Sequence, residues 1–334
     1  MTALSLGDLA QSYSNRLANV RLRTQLSDLS AQMATGRRDD TAIVASGDVA
    51  PLGALERSLT VTDAYRSSAA EATTLFAGAE RALAVVADAT GLLGSRLAAT
   101  RIGGDDAGID ALAAEARGQF ASAVAGLNAT VAGRSVFAGT GTDGPALTGA
   151  ETMLADIAAA LGAPASAAEL LSGVQDWFAP GGGFDSQSYL GTAERMTGLQ
   201  VAPGERLTLP ATAAEPEPRA ALAALAAAAL LDTGMLDAQP EERRLAAAAA
   251  GEWALQATDG VTEMRARIGA EAARAEAAAG RAAAERAGLE MARADLVGID
   301  PYETATRLEQ TRSNLETLYA VTARLQSLSL VNYL

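Results

Sequence analysis

Two pairs of adjacent aspartates are the groups in this sequence best placed to perform metal or acid–base chemistry, Asp39-Asp40 and Asp105-Asp106. Neighbouring carboxylates could share a divalent cation, or one could act as a general acid and the other as a general base. Both pairs, however, stand where a helix could begin, and aspartates in that position commonly cap the helix or face solvent. We therefore expect helix caps here, with no catalytic residue and no metal site.

The composition removes most other catalytic chemistry. The chain of 334 residues contains no Cys and no His, and all 26 of its basic residues are Arg. It therefore lacks thiolates, disulfides, imidazole bases and the usual zinc ligands. The glycine run Gly181-Gly182-Gly183 lacks the Lys of a phosphate-binding loop. These observations predict that the protein is not an enzyme and uses no cofactor.

The charge balance limits the kinds of partner. With 40 acidic residues the net charge is −14, which gives no overall attraction to nucleic acid or to an anionic membrane. Arginines alternate with glutamates between residues 265 and 293, as is typical of a solvated helix face. The longest strongly apolar run, residues 220–231, is shorter than the ~20 residues that cross a bilayer. We expect protein partners, no nucleic acid and no insertion into a membrane.

Proline placement predicts helical ends around an irregular centre. Eight of the ten prolines lie between Pro145 and Pro240, and proline cannot continue the interior of a helix. Apolar and small residues recur every seven positions from Leu55 to Leu97, which predicts a long helix beginning near Pro51. A second long helix is predicted between Glu241 and Val297.

The centre of the chain has the composition of short helices and strands. Residues 188–190, 195–201 and 206–209 have the length and turn residues of short strands, and we expect a helix over residues 220–231 to pack on them. The centre therefore reads as a small α+β insertion between helical arms.

Both ends of the chain carry apolar residues at helical spacing. A monomer could bury the two stripes against each other, but helices of this length gain little stability from propensity alone. We therefore expect them to form an assembly interface with neighbouring subunits. The predicted interface residues are Leu6, Leu9, Tyr13, Leu17, Val20, Leu26, Leu29, Met33, Leu308, Leu315, Leu318, Leu325, Leu328, Leu330 and Leu334.

The two ends also resemble those of the bacterial flagellin superfamily. The resemblance rests on residues 26–37 with Asp39-Asp40, on Arg267-Ile-Gly269, on residues 295–303 and on residues 328–334. The segment that runs from Gly133-Arg-Ser-Val-Phe137-Ala-Gly139 to Pro145 is similar to one found in the hook-filament junction members of that superfamily, hook-associated protein 3. Ser135 stands where that segment has an aromatic residue. The residues that carry the family pattern are Gly36, Asp40, Gly133, Phe137, Gly139, Gly269 and Asp300.

The resemblance implies a mainly α fold, in which both chain ends build a long antiparallel helical rod with a small α+β outer domain inserted in the middle. It divides the chain into a terminal assembly helix (1–38), the two halves of the rod (39–138 and 241–298), the outer domain (139–240) and a second terminal helix (299–334).

The function implied by the resemblance is mechanical. The subunit would form a ring with copies of itself between hook-associated protein 1 and flagellin, outside the cell in the flagellum. It would be exported without a cleaved signal peptide, and an export chaperone would hold residues 301–334. Two alternatives stay open: the chain is a flagellin of the filament, or it is a cytoplasmic coiled-coil adaptor.

Overall fold

A computed structural model describes residues 6–38, 49–103 and 105–331, and most of these residues are helical. The helices are α1 (Leu6–Thr35), α2 (Val49–Gly103), α3 (Asp106–Leu127), α4 (Ala150–Leu161), α5 (Ala167–Phe178), α6 (Pro216–Ala229), α7 (Pro240–Val297) and α8 (Pro301–Val331). The strands form two antiparallel hairpins, β1 (Thr130–Val131) with β2 (Arg134–Ser135), and β3 (Leu199–Ala202) with β4 (Glu205–Leu207). A π-helical turn, Phe184–Ser188, and a 3-10 turn, Leu230–Thr233, lie in the middle of the chain.

The seven-residue repeat predicted for α2 is confirmed by burial. Positions seven apart on a helix share one face, so a repeat of apolar and small residues must find a partner surface. Six consecutive repeat positions are indeed buried: Thr62, Ala69, Phe76, Leu83, Thr90 and Leu97. At 55 residues α2 has a length of about 80 Å, and α7 at 58 residues is of similar length.

The chain divides into two compact units. The terminal unit comprises residues 1–63 and 284–334, and the central unit comprises residues 64–283. The large buried aromatic side chains, Phe76, Phe120, Phe137 and Phe184, all belong to the central unit. In the terminal unit the described buried apolar residues are Leu29 and Val297.

Small residues bring α2 and α7 very close together in the central unit. A Cβ atom built on Gly251 would lie 2.3 Å from the backbone nitrogen of Ala98, so the two backbones nearly touch. Two turns after Gly251 along α7, the hydroxyl of Thr258 donates to the hydroxyl of Thr90 at 2.8 Å. Arg265 of α7 also pairs with Glu80 of α2. Alanine, glycine and threonine therefore fill this interface, in the place that bulky side chains occupy in most helical cores.

Helix α3 begins as the sequence predicts. The side chain of Asp105 accepts a hydrogen bond from the backbone N–H of Gly108 at 2.9 Å, which is an N-cap. The helix ends at Leu127, and the chain then turns into the β1–β2 hairpin. Ala132 and Gly133, at φ 51° and 77°, form the tight turn of that hairpin.

The middle of the chain contains fewer strands than the sequence predicts. Of the predicted segments 188–190 and 195–201, the first contributes an isolated bridge between Tyr189 and Leu147, and the second is a strand only from Leu199 onward. Helix α6 packs against α3 and α5, not on the hairpin that we predicted as its support. Its buried face is alanine and leucine, and such a face fits another helix closely.

One helical segment, Ala50–Ile102, is long and apolar enough by composition to cross a bilayer. Half of the most apolar part of this segment is buried within the protein. The many alanines that let α2 pack closely also raise its mean hydropathy, so the segment has the composition of a core helix as much as that of a membrane span.

Candidate assembly surface of the terminal helices

Helices α1 and α8 pack against each other within the terminal unit. The backbone of Arg37 pairs with that of Gly298, while farther along the pair the guanidinium of Arg23 contacts Tyr319. Residue numbers therefore rise along one helix as they fall along the other, and the two helices are antiparallel. The first and last helices of the chain thus fold as one hairpin-like pair.

The seam of this pair is made of leucine and threonine. On α1, Leu29 is buried and Leu22 and Leu26 are half-buried. On α8, the seam positions follow each other at spacings of three and four: Thr304, Leu308, Thr311, Leu315, Leu318 and Thr322. The predicted interface residues Leu26, Leu29, Leu308, Leu315 and Leu318 therefore contribute to a contact inside one molecule.

The threonines tolerate burial because their own helix accepts their hydroxyl protons. The hydroxyl of Thr311 donates to the carbonyl of Arg307 at 2.8 Å, and that of Thr322 donates to the carbonyl of Leu318 at 2.7 Å. These two hydroxyls then need no partner on α1, and their methyl groups can face the seam. The seam is apolar but narrow, since three of its six positions on α8 carry one methyl group each.

Polar contacts with Tyr319 help to hold the pair in register. The Nε and Nη2 atoms of Arg23 donate to the Tyr319 hydroxyl at 3.0 and 2.9 Å, and the guanidinium lies 6.0 Å from the centre of the ring. Hydrogen bonds from Asn19 and then from Arg23 lower the pKa of the Tyr319 phenol from its ordinary value. The sequence analysis missed these residues, because no spacing rule relates positions almost 300 residues apart.

Three other predicted residues of α1, Tyr13, Leu17 and Val20, lie on its opposite face. Two residues along a helix rotate the side chain by about 200°, so the step from Val20 to Leu22 changes the face that the apolar positions occupy. Tyr13, Leu17 and Val20 are exposed to 70%, 41% and 62%. We call these three residues the outer stripe of α1. Met33, near the end of the helix, is 38% exposed.

Several predicted residues cannot be placed. Asp40 and Leu334 lie outside the described residues. Leu6, Leu9, Leu325, Leu328 and Leu330 belong to α1 or α8, but their side chains are likewise outside what the structure describes.

A short backbone clip joins the two connectors that leave the pair. The N–H of Arg38 donates to the carbonyl of Val297 at 2.8 Å, and the N–H of Ile299 donates to that of Gly36 at 3.2 Å. Gly36 itself has φ +67°, a left-handed conformation that ends α1 and favours glycine. Two of the family-pattern positions thus have structural reasons: Gly36 in the clip, and Asp300, which caps α8 by accepting from the N–H groups of Tyr302 and Glu303.

The pattern residues between Gly133 and Gly139 join three segments of the central unit. Phe137 is fully buried, and its carbonyl accepts from the N–H of Ala213 at 2.9 Å. Gly139 has φ +66°, and a Cβ there would lie 2.3 Å from the carbonyl oxygen of Glu194. Gly133 forms the β1–β2 turn, whereas nothing in the structure explains a glycine at position 269, where a Cβ would meet no atom within 4 Å.

Among the described residues, His, Cys, Asp and Glu form no cluster of three that could hold a metal ion. Asp105 is occupied as a helix cap, and Asp39 lies outside the described residues. The fold and the surface of the terminal helices define a mainly helical protein whose first and last helices pair, and whose first helix keeps an apolar stripe on its outside.

Comparison with known proteins narrows this class. Residues 253–334 match the family described as the bacterial flagellin C-terminal helical region. A solved structure described as a flagellar hook-associated protein from Vibrio parahaemolyticus superposes with a TM-score of 0.52 at 17% identity, over 77% of this chain and 98% of that one. None of the curated protein sequences compared with this chain matches it significantly. The predicted mainly α, flagellin-like fold is therefore confirmed.

Proposed function

We propose that this protein is a structural subunit of the bacterial flagellum. The observation that carries the proposal is the pairing of α1 with α8, because α8 lies entirely within the segment that matches the flagellin C-terminal region. If both ends of a subunit enter the same layer of an assembly, the two ends must lie side by side. The pairing of the flagellin-like carboxyl end with the amino-terminal helix meets this requirement. The fold shared with a flagellar hook-associated protein supports the same role.

Within the flagellum, the position we propose is the junction between hook and filament. The subunit would form a ring with copies of itself, contacting hook-associated protein 1 on one side and flagellin on the other. Support comes from the resemblance of the Gly133–Gly139 segment to a segment of junction proteins. Within this segment Phe137 is buried and Gly139 is tightly packed. The role is mechanical and non-enzymatic.

This proposal assigns a task to each part of the chain. The terminal segments 1–38 and 299–334 are the assembly helices, residues 39–138 and 241–298 form the rod, and residues 139–240 are the outer domain. The subunit is exported to the outside of the cell through the flagellar apparatus, and an export chaperone holds residues 301–334 before assembly.

A second candidate function is that of a flagellin of the filament itself. The match to the flagellin C-terminal region favours it, since that region by itself does not distinguish a filament subunit from a junction subunit. The two functions differ in extent of assembly: a filament subunit polymerises without limit on seeds of its own kind, whereas a junction subunit forms a layer of fixed height.

The proposal is tested by limited proteolysis combined with added partners. We expect dilute protein to be cut within residues 1–38 and 299–334, and these segments to become protected when hook-associated protein 1 or flagellin seeds are added. Electron microscopy of the same mixtures, with the chain labelled by gold, should show it at the boundary between hook and filament. Label along whole filaments would support the flagellin alternative.

A different digestion pattern would overturn the flagellar proposal. If both ends are fully protected in dilute protein and neither added partner binds, the chain behaves as a self-contained coiled-coil adaptor. Deleting the gene gives an independent readout, because a missing junction should leave exported flagellin free in the medium and cells without filaments.

A further inference from the structure

The tripeptide Thr-Asp-Gly occurs twice in the chain, at residues 142–144 and at residues 258–260. Asp143 lies in a turn outside every helix and strand, whereas Asp259 lies inside α7. Both aspartates are exposed to solvent, and neither carboxylate has a hydrogen bond or an ion pair with a residue that the structure describes. The two sites therefore share their local sequence and their access to water, and they differ in backbone conformation.

An aspartate followed by glycine can rearrange without an enzyme. The glycine nitrogen attacks the carboxyl carbon of the aspartate side chain, since no Cβ hinders its approach. A new N–C bond forms, and the carboxyl hydroxyl leaves as water with the proton of the nitrogen. The resulting five-membered succinimide takes up one water molecule, which breaks one of its two N–C bonds. Breaking the new bond restores aspartate, whereas breaking the original peptide bond gives isoaspartate, in which the main chain continues through the side chain.

The turn at Asp143 leaves this reaction open. The N–H of Gly144 donates to no acceptor among the residues that the structure describes, so no hydrogen bond holds the proton that the nitrogen must lose. No helix or strand fixes the rotation about the Cα–C bond of Asp143. A Cβ built on Gly144 would meet no atom within 4 Å, so the ring has room to form.

The same tripeptide is protected in α7. The N–H of Gly260 takes part in the helical hydrogen bond to the carbonyl four residues earlier, and ring closure needs a rotation about the Asp259 Cα–C bond that helical dihedrals exclude. Gly260 is also half-buried beside the side chain of Glu217. The helix must therefore open locally before the nitrogen can attack, and such opening costs free energy.

We propose that Asp143 is a site of spontaneous conversion to isoaspartate in the folded protein, and that Asp259 is not. The reaction needs only water and the geometry of the turn, so it is independent of the flagellar function. A failure of one would leave the other intact, because chemical analysis of the purified protein measures the conversion without any assembly.

The conversion also alters the backbone, because isoaspartate adds one carbon atom to the main chain. The carbonyl of Thr142 accepts from the N–H of Ser135, and the carbonyl of Ala146 accepts from the N–H of Leu190, both at 2.8 Å. The extra atom would lie between these two hydrogen-bonded positions. We expect the amides of Ser135 and Leu190 to exchange hydrogen faster in the converted protein, and unchanged exchange would overturn this expected effect on the backbone.

The test is ageing of the full-length protein at neutral pH, below its unfolding temperature, in native buffer and in urea. Electron-transfer fragmentation of peptides that contain the two tripeptides distinguishes isoaspartate from aspartate, which has the same mass. In native buffer we expect Asp143 to convert at least about tenfold faster than Asp259, because α7 must open first. In urea the two rates should be similar. Heavy-oxygen water should label Asp143 with one oxygen atom for each passage through the ring.

Two variants test the chemistry of the ring. Asp143→Glu keeps the charge but would need a six-membered ring, and Gly144→Ala places a methyl group beside the attacking nitrogen, where the structure has space for it. Both should keep the helix content of the wild type by circular dichroism and should prevent isoaspartate from accumulating at this site. Asp259→Glu is the matched control in the other tripeptide, and it should leave the conversion of Asp143 unchanged.

Three outcomes would contradict the assignment of this site. The two aspartates could convert at equal rates in native buffer, Asp143 could convert in urea but not in the folded protein, or Gly144→Ala could convert as fast as the wild type. The first two would show that the turn does not permit the reaction better than the helix does. The third would show that the nitrogen of residue 144 is not the attacking group.

Discussion

Arg219 is a partly buried charged residue that joins several segments of the central unit. Its guanidinium pairs with Asp185, donates to the carbonyls of Ala214 and Phe178 at 2.6 and 3.3 Å, and lies 4.7 Å from the centre of the Phe184 ring. One side chain thus joins the π-helical turn, the end of α5 and the start of α6. Because an arginine carries five donors in a rigid fork, a lysine could not replace all these contacts.

We predict that Arg219→Ala destabilises the protein by about 2–4 kcal/mol, because a carboxylate and two carbonyls lose their donor in a partly buried place. The measurement is urea unfolding followed by tryptophan fluorescence. Arg206→Ala is the control, since Arg206 is exposed and forms no such contact with the residues that the structure describes; it should change stability by less than about 0.5 kcal/mol. Equal effects of the two changes would contradict this account of Arg219.

The carboxyl group of Asp185 gives this cluster a dependence on pH. Burial by itself raises the pKa of Asp185, but the hydrogen bonds from Arg219 and from the N–H of Gly181 outweigh burial and hold its pKa below the ordinary value. A carboxyl group whose pKa is lower in the folded state adds stability above its unfolded pKa and loses that stability as the pH falls through its folded pKa.

We therefore predict that the stability difference between wild type and Asp185→Asn is greatest near neutral pH and shrinks as the pH falls below about 4. Urea unfolding at a series of pH values measures this difference. A difference that stays constant down to pH ~2, or that grows with acid, would show that the ionised carboxylate is not what stabilises the cluster.

At the scale of elements, the close contact of α2 with α7 depends on glycine. Gly94 and Gly251 face each other across the two helices, and a Cβ on Gly251 would lie 2.8 Å from the carbonyl oxygen of Gly94. Backbone atoms cannot move aside as a flexible side chain can, so an added methyl group must push the helices apart. The close approach of α2 and α7 therefore depends on the missing side chains of Gly94 and Gly251 as much as on the side chains around them.

We predict that Gly251→Ala destabilises the protein by about 1–3 kcal/mol through overpacking. Gly269→Ala is the matched control in the same helix, because a Cβ there meets no atom within 4 Å. It should stabilise the protein by up to about 1 kcal/mol, the ordinary gain in helix propensity. Thermal unfolding of both variants measures the contrast, and a stabilising Gly251→Ala would refute the close approach.

At the scale of the whole molecule, stability is divided unequally between the two units. The central unit holds the fully buried aromatic and leucine side chains, while the described buried apolar residues of the terminal unit are Leu29 and Val297. Segments with few buried apolar contacts open at lower free energy than the core of a protein. The pair of α1 and α8 should therefore open while the central unit stays folded.

Hydrogen exchange followed by mass spectrometry tests this expectation. We predict that amides of α1 and α8 exchange before those of the central unit, and that Leu29→Ala accelerates exchange in both terminal helices without affecting the centre. Val20→Ala is the control on the same helix, since Val20 lies outside the seam and its truncation should leave exchange in the dilute protein unchanged. Equal protection of both units would contradict the unequal division.

The sequence by itself determined the features that depend on local chemistry. Prolines confined the long helices to the two ends of the chain, the seven-residue repeat of α2 defined its buried face, and Asp105 marked a helix start, because each of these effects acts within a few residues.

Tertiary structure alone decided which apolar stripe of each terminal helix is covered and which is free. Helix geometry puts Tyr13, Leu17 and Val20 on the face of α1 opposite the seam leucines, but only the position of α8 shows which of the two faces is covered. The same holds for Tyr319 beside Arg23 and for α6 on α3, since burial and pairing across long sequence separations are set by how whole helices pack, and a local pattern contains no information about its partner.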